Sequence, residues 1–312
     1  MTPCLLIAGP TAAGKTALAL AAAERLDGEI INADSMQIYD GLRVITARPD
    51  ADEEARAPHH LFGTIDPGRR FSVGDWLEAA LGMIKAIRLR GSTPILVGGT
   101  GLYFNALTKG LAPVPEIDLE ARERAADLLR REGLDGLRTE AMRIDPVATE
   151  RVEPSDTQRL LRIVEVYHTA GEPLSGLWSA TKPALAPQDW RGIVIEPERE
   201  ALYERIDKRF DRMMAADALE EVRAFGTREL DPELPAMKAL GVPVLLAHLR
   251  GVLPLDEAIM LAKRDSRRYA KRQSTWFRNQ HPDWARIRSL DPATALAELD
   301  AILSLEAASQ ND

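Results

Sequence analysis

The 312-residue sequence predicts an α/β protein: a doubly wound parallel sheet with a helical insertion and a helical C-terminal region. Two observations carry this expectation. Short aliphatic runs bounded by Gly, Pro or Asp alternate with amphipathic segments through the first hundred residues and return near 190, as buried parallel strands joined by helices do. Between 113 and 187 the strand pattern stops and charged helical sequence replaces it, so the core is assigned to 1–112 and 188–312 and the insertion to 113–187.

The elements follow in order. A first strand is expected at 4–8, and it leads into Gly9, Pro10, Thr11, Ala12, Ala13, Gly14, Lys15 and Thr16, a G-x-x-x-x-G-K-T phosphate loop that opens a helix over 15–26. A second strand at 29–33 runs into Asp34, Ser35, Met36 and Gln37. Ser72 and Asp75 have capping-box spacing at the start of a helix over 72–89, which precedes a strand at 93–97 and the glycine loop Gly98, Gly99, Thr100, Gly101. Helices are expected at 118–132 and 157–167 within the insertion, a Gly/Pro-rich piece at 171–187 closes it, and a strand at 192–195 resumes the sheet. Amphipathic helical sequence follows from 198 to 278, and Pro292 sits in the first turn of a final helix.

These loops suggest chemistry. Backbone N–H groups of the phosphate loop and the N-terminal end of its helix favour an anion, Lys15 adds a mobile cation, and Thr16 offers a hydroxyl to Mg2+. Asp34 stands at the carboxyl edge of the sheet, where ligands of such folds bind; the position suits a general base and equally suits a turn cap. Gln37 has the amide to read an adenine edge, and Thr100 is either a ligand contact or a helix cap. Adjacent His59 and His60 are expected in a turn with hydrogen-bonded imidazoles rather than on a metal.

Composition narrows the class. The net charge of −8 argues against a protein coated in positive charge, yet Lys263, Arg267 and Lys271, with Arg264, Arg268 and Arg272 beside them, predict a continuous cationic strip on one helix. Only Asp265 interrupts it. The single cysteine, Cys4, permits no intrachain disulfide, and no apolar run is long enough for a membrane span. A cytoplasmic monomer with no membrane partner is expected.

The stretches GPTAAGKT, NADSMQIY, APHHL, VGGTGLYFNAL, SDTQRLLRIVEVY, LYERIDKRF and RRYAKRQSTWFR together resemble the tRNA dimethylallyltransferases, also called tRNA isopentenyltransferases. The resemblance implies transfer of a dimethylallyl group from dimethylallyl diphosphate to N6 of the adenosine 3′ of the anticodon, with Mg2+ as cofactor and release of diphosphate. It further implies a base role for Asp34, charge stabilisation by Lys15, Thr16 and Arg209, and contact of Thr100 with the flipped nucleotide. By the same match Asp34 to Gln37 and Gln158, Arg159, Leu160, Leu161 and Arg162 line the tRNA, Arg122 meets the anticodon stem, and Lys271 and Arg272 serve the same partner. Ile45, Arg48, Ser155 and Val242 depart from the family pattern. Two other functions fit a phosphate loop with an acid beside it: a small-molecule kinase and a prenyltransferase of free AMP or ADP.

Overall fold

The computed structural model describes residues 2–309. It divides into two compact units, one comprising the chain up to Thr108 and from Leu185 on, the other Lys109–Ala184. The strands are β1 (Cys4–Ala8), β2 (Gly28–Asn32), β3 (His59–His60), β4 (Thr93–Gly98), β5 (Trp190–Ile195) and β6 (Ala285–Ile287). The helices are α1 (Lys15–Leu26), α2 (Ala51–Arg56), α3 (Val73–Leu89), α4 (Gly101–Thr108), α5 (Leu119–Ile144), α6 (Pro146–Thr149), α7 (Thr157–Ala170), α8 (Leu174–Leu177), α9 (Arg199–Ala215), α10 (Ala218–Gly226), α11 (Val242–Leu249), α12 (Leu255–Gln280) and α13 (Pro292–Ser309).

All six strands join one parallel sheet of order β3-β2-β4-β1-β5-β6 in the larger unit. Its register places Leu6 of β1 between Leu96 of β4 and Gly192 of β5. Successive side chains of β1 enter opposite cores: Cys4, Leu6 and Ala8 meet residues of α3, α4, α10 and α11, while Leu5 and Ile7 meet α1 and α13. Burial on both faces is why the strands read as unbroken aliphatic runs. The Ser72 and Asp75 capping box forms as its spacing implied, with Ser72 Oγ accepting from the Asp75 amide at 3.1 Å and Asp75 Oδ2 accepting from the Ser72 amide at 2.7 Å.

Three elements of this unit escape the sequence patterns. β3 and β6, at the two edges, have only two and three residues, and α2 has six. His59 and His60, read as a turn, instead pair with Ile30 and Ile31 as an edge strand. Their imidazoles are hydrogen-bonded, His59 Nδ1 to the Ala57 carbonyl at 2.8 Å and His60 Nε2 to Glu29 Oε2 at 2.7 Å.

The smaller unit is helical. Ala125, Leu137, Ala141 and Ile144 of α5 pack on Leu160, Ile163 and Val164 of α7. α5 runs well past residue 132, across a break at Gly133 where φ is 69°. Buried Asp145 ties its end together, accepting from the Ala148 amide at 2.9 Å and from the Ser175 amide and hydroxyl at 2.8 and 2.7 Å.

Candidate active site

Adjacency in the sheet assembles the site. The loops after β1, β4 and β2 leave neighbouring strands at the same carboxyl edge, so the phosphate loop, the glycine loop and Asp34 come together although the sequence separates them widely. The phosphate loop turns on left-handed backbone at Ala12 and Gly14, and the φ of 90° at Gly14 is one that a residue without Cβ adopts at little cost. Lys15 Nζ donates to the Pro10 carbonyl at 2.7 Å.

Asp34 is held by its neighbours. Buried Asn32 accepts from the Asp34 amide at 2.8 Å and donates to the carbonyls of Asp34 and Leu61, each at 3.0 Å, while Trp76 Nε1 donates to the Asn32 carbonyl at 2.8 Å. One carboxylate oxygen of Asp34 accepts from the Met36 amide at 2.9 Å. The residue therefore makes the local turn, and it also lines a cavity. Thr100 is similarly occupied: its hydroxyl accepts from the Ser35 amide at 2.9 Å, its amide donates to the Ala33 carbonyl, and Tyr269 of α12 hydrogen-bonds to it.

A cavity of about 310 Å³ lies along the phosphate loop. Its wall carries five basic side chains, Lys15, Arg48, Arg205, Arg209 and Arg212, against two acidic ones, Asp34 and Glu53. Crowding of half-buried cations has a cost. Desolvation pushes the Lys15 ammonium down to about 8 and Arg209 down to about 10, and in each the Asp34 charge partly restores the cation. A polyanion in this cavity would relieve that cost.

A second cavity of about 280 Å³ has a different lining, with Met36, Ile45, Ile206, Phe210, Met213 and Leu240 beside Tyr269. Thr11, Asp34 and Arg209 line both cavities. Arg209 donates to the Thr11 hydroxyl in a short contact, so the α9 cation is fixed to the phosphate loop where the two cavities share a wall. An acid, a cation and a phosphate cradle thus meet at the boundary between a strongly basic chamber and one that mixes apolar side chains with Lys238 and Arg272.

For a divalent cation the protein offers few oxygens. Among the described residues no cluster of three or more His, Cys, Asp or Glu forms a cage. Thr16 and Asp34 in the basic cavity supply hard oxygen donors, which suits Mg2+ shared with ligand phosphate oxygens.

Other expected positions fare differently. Gln37 donates both amide hydrogens to backbone, to Thr46 and Ala47 carbonyls at 2.9 and 2.8 Å, and so holds a loop. The cationic strip of α12 is not continuous. Lys263 and Arg267 turn toward α9 and pair with Asp211 at 2.6 Å and Asp207 at 2.5 Å, acids that are distant in sequence, leaving Lys271 and Arg272 exposed. These two line a surface groove with Arg268, Thr275 and Trp276.

In the smaller unit Leu160 is fully buried in the α5 and α7 core and has no surface with which to touch RNA, a correction to its expected role. Leu161 packs on the same core. Gln158, Arg159, Arg162 and Arg122 are exposed.

One residue of the site was missed. Gln273 of α12 is buried, its Oε1 accepting from the Thr11 amide at 2.8 Å and its Nε2 donating to the Gly99 carbonyl at 2.9 Å. The signal was present. On α12 Ala262, Ala270 and Phe277 mark the buried face, and Gln273 is a polar residue on it.

The family described as IPP transferase matches residues 37–280. A tRNA dimethylallyltransferase of Maricaulis maris (strain MCS10) is 68% identical over 97% of this chain and 98% of its own length, and one of Phenylobacterium zucineum (strain HLK1) is 52% identical over 92% of each. The crystal structure of a full-length tRNA isopentenylpyrophosphate transferase from Bacillus halodurans has a TM-score of 0.70 at 33% identity and covers 99% of both chains. A eukaryotic dimethylallyltransferase acting on tRNA has a TM-score of 0.81 at 26% identity, covering 92% of this chain and 74% of that one.

Proposed function

The chain belongs to the IPP transferase family, and from that premise we propose that it transfers a dimethylallyl group from dimethylallyl diphosphate to N6 of the adenosine 3′ of the anticodon in tRNA. The observation that carries this reading beyond family membership is the pair of cavities with Asp34 and Arg209 in their common wall. One chamber is strongly cationic, and the other sets six apolar side chains beside Arg209, Lys238 and Arg272, which suits a diphosphate on one side and, on the other, a carbon group meeting a base carried on an anionic backbone.

The residues divide the work by charge. The exocyclic amine of adenine is a weak nucleophile because its lone pair is delocalised into the ring. As the N6–C1 bond forms, Asp34 takes a proton from N6, and the C1–O bond breaks with its electron pair passing to the diphosphate. Lys15, Arg209 and the phosphate-loop N–H groups receive that growing negative charge, and being desolvated already they gain more from it than exposed cations would. Thr16 would hold Mg2+ together with ligand phosphate oxygens, and the ion would supply further neutralisation of the leaving group.

The acceptor base must leave its stack to reach Asp34. Exposed Lys271 and Arg272, and Arg122 with Arg162 in the smaller unit, provide local positive surface for RNA despite the overall negative charge. Nucleoside mass spectrometry of tRNA incubated with the protein, Mg2+ and dimethylallyl diphosphate tests the proposal. A mass increment on the adenosine 3′ of the anticodon, without ATP, is expected; unmodified tRNA, or competition by AMP with modification of the mononucleotide, overturns it.

A further inference from the structure

We infer that Gln273 is a positioning residue that sets the spacing between the phosphate loop and the glycine loop, and hence between the leaving group and the base; the inference rests on the reaction proposed above. Its carboxamide is the one group of α12 hydrogen-bonded to both loops, through Thr11 N–H and the Gly99 carbonyl. The site is built to receive it. A Cβ at Gly99 would lie 2.1 Å from Gln273 Nε2, so the glycine is what allows the amide to reach the backbone.

From these two bonds the links extend to Arg209 on one side and to Asp34 on the other. Thr11 accepts from Arg209 through its hydroxyl, so Gln273 and Arg209 hold the same residue from two helices. Gly99 precedes Thr100, whose hydroxyl accepts from the amide of Ser35 next to Asp34. The path Arg209, Thr11, Gln273, Gly99, Thr100, Ser35, Asp34 closes around the wall shared by the two cavities. Because the Thr11 N–H is committed to Gln273, it tethers the loop, and the cradle for phosphate is left to the N–H groups that follow it.

An amide meets both demands at any pH, since Thr11 N–H needs an acceptor and the Gly99 carbonyl needs a donor. A carboxylate would satisfy the first and repel the second; a protonated carboxyl would satisfy both. The chemistry itself thus gives the test. With saturating tRNA and donor, Gln273→Leu is expected to lower kcat by on the order of 10²-fold while both KM values change little, as misplacement of aligned reactants does. Gln273→Glu is expected to be impaired at pH 8 and to recover relative to the parent as pH falls and the buried carboxyl takes its proton.

Hydrogen exchange in the substrate-free protein supplies a readout independent of the reaction, with faster exchange expected at the Thr11 amide in Gln273→Leu. Parental kcat in Gln273→Leu, a flat ratio of Gln273→Glu to parent across pH, or unchanged exchange at Thr11 overturns the inference. If Gln273→Leu does not fold, Gln273→Glu carries both readouts. A parent inactive on tRNA overturns the proposed reaction alone, and the exchange measurement then decides the role of Gln273.

Discussion

At Lys15 the protein tolerates a cation it would rather not bury. Its ammonium is pushed down to about 8 from the ordinary 10.5, first by desolvation and then by Arg209, with Asp34 acting in the opposite sense. The sign follows directly: the folded protein binds this proton less tightly than the unfolded chain, so the contribution of Lys15 to stability rises with pH between about 8 and 10.5. Lys15→Met is therefore expected to stabilise the substrate-free protein near neutral pH by on the order of 1 kcal/mol, discounted because the side chain is only half-buried. The same variant should lose transfer, and thermal melts beside a prenylation assay would separate the two effects. Diphosphate binding should weaken as pH rises through 8 in the parent, with proton uptake detectable by calorimetry in buffers of different ionisation enthalpy; a pH-independent affinity would contradict the placement of the anion beside Lys15. For Asp34 the expectation is a different split. Asp34→Ala should reduce kcat by roughly 10²–10⁴-fold, the range for a lost general base, while tRNA affinity shifts far less. Equal loss of both would make it a binding residue.

At the scale of elements, α12 joins interior and surface functions in one helix. Its buried face delivers Gln273 to the loops, and its exposed face presents Lys271 and Arg272. Alanine at both exposed positions should weaken tRNA binding and lower the dependence of log affinity on log salt by up to about 2, since each phosphate contact contributes somewhat less than 1. Unchanged slopes in filter binding would make those residues ordinary solvated charges. Lys263→Ala and Arg267→Ala should leave the slope unchanged, because their partners are Asp211 and Asp207. This contrast also marks what the sequence could convey. Spacing along one helix revealed six bases in two stripes, but charge neutralisation by α9 is a contact across the fold, and nothing in local periodicity reports it. The interior strands were legible since burial on both faces leaves an aliphatic run; β3 and β6 were not, because two or three edge residues make no pattern. The loops that carry Asp34, Thr100 and Lys15 were legible at strand ends. The loop-holding bonds of Gln37 were not legible, because the carbonyls of Thr46 and Ala47 fold back onto it from nine and ten residues away.

For the molecule as a whole, the smaller unit has its own apolar core, centred on α5 and α7, and the larger unit holds both cavities. Leu160→Ala should cost the smaller unit about 2–5 kcal/mol, as cavity-forming substitutions do. Weakened tRNA binding with undiminished binding of the diphosphate donor is the expected consequence, checked by RNA gel shift and by calorimetry with the donor. Loss of donor binding as well would mean that the units do not act separately. The strand order carries a further consequence, for biogenesis. β1 emerges first from the ribosome, yet one of its two neighbours is β5, and Arg209 and Gln273 come later still, so the sheet's central strand waits with one edge unpaired while the smaller unit is synthesised. Such long-range pairing is slow to form and exposes an aliphatic edge in the interval. A nascent chain stalled before Trp190 should thus hold a phosphate loop without its partners and depend on chaperones, whereas release beyond Gln280 completes the sheet's centre and the site together.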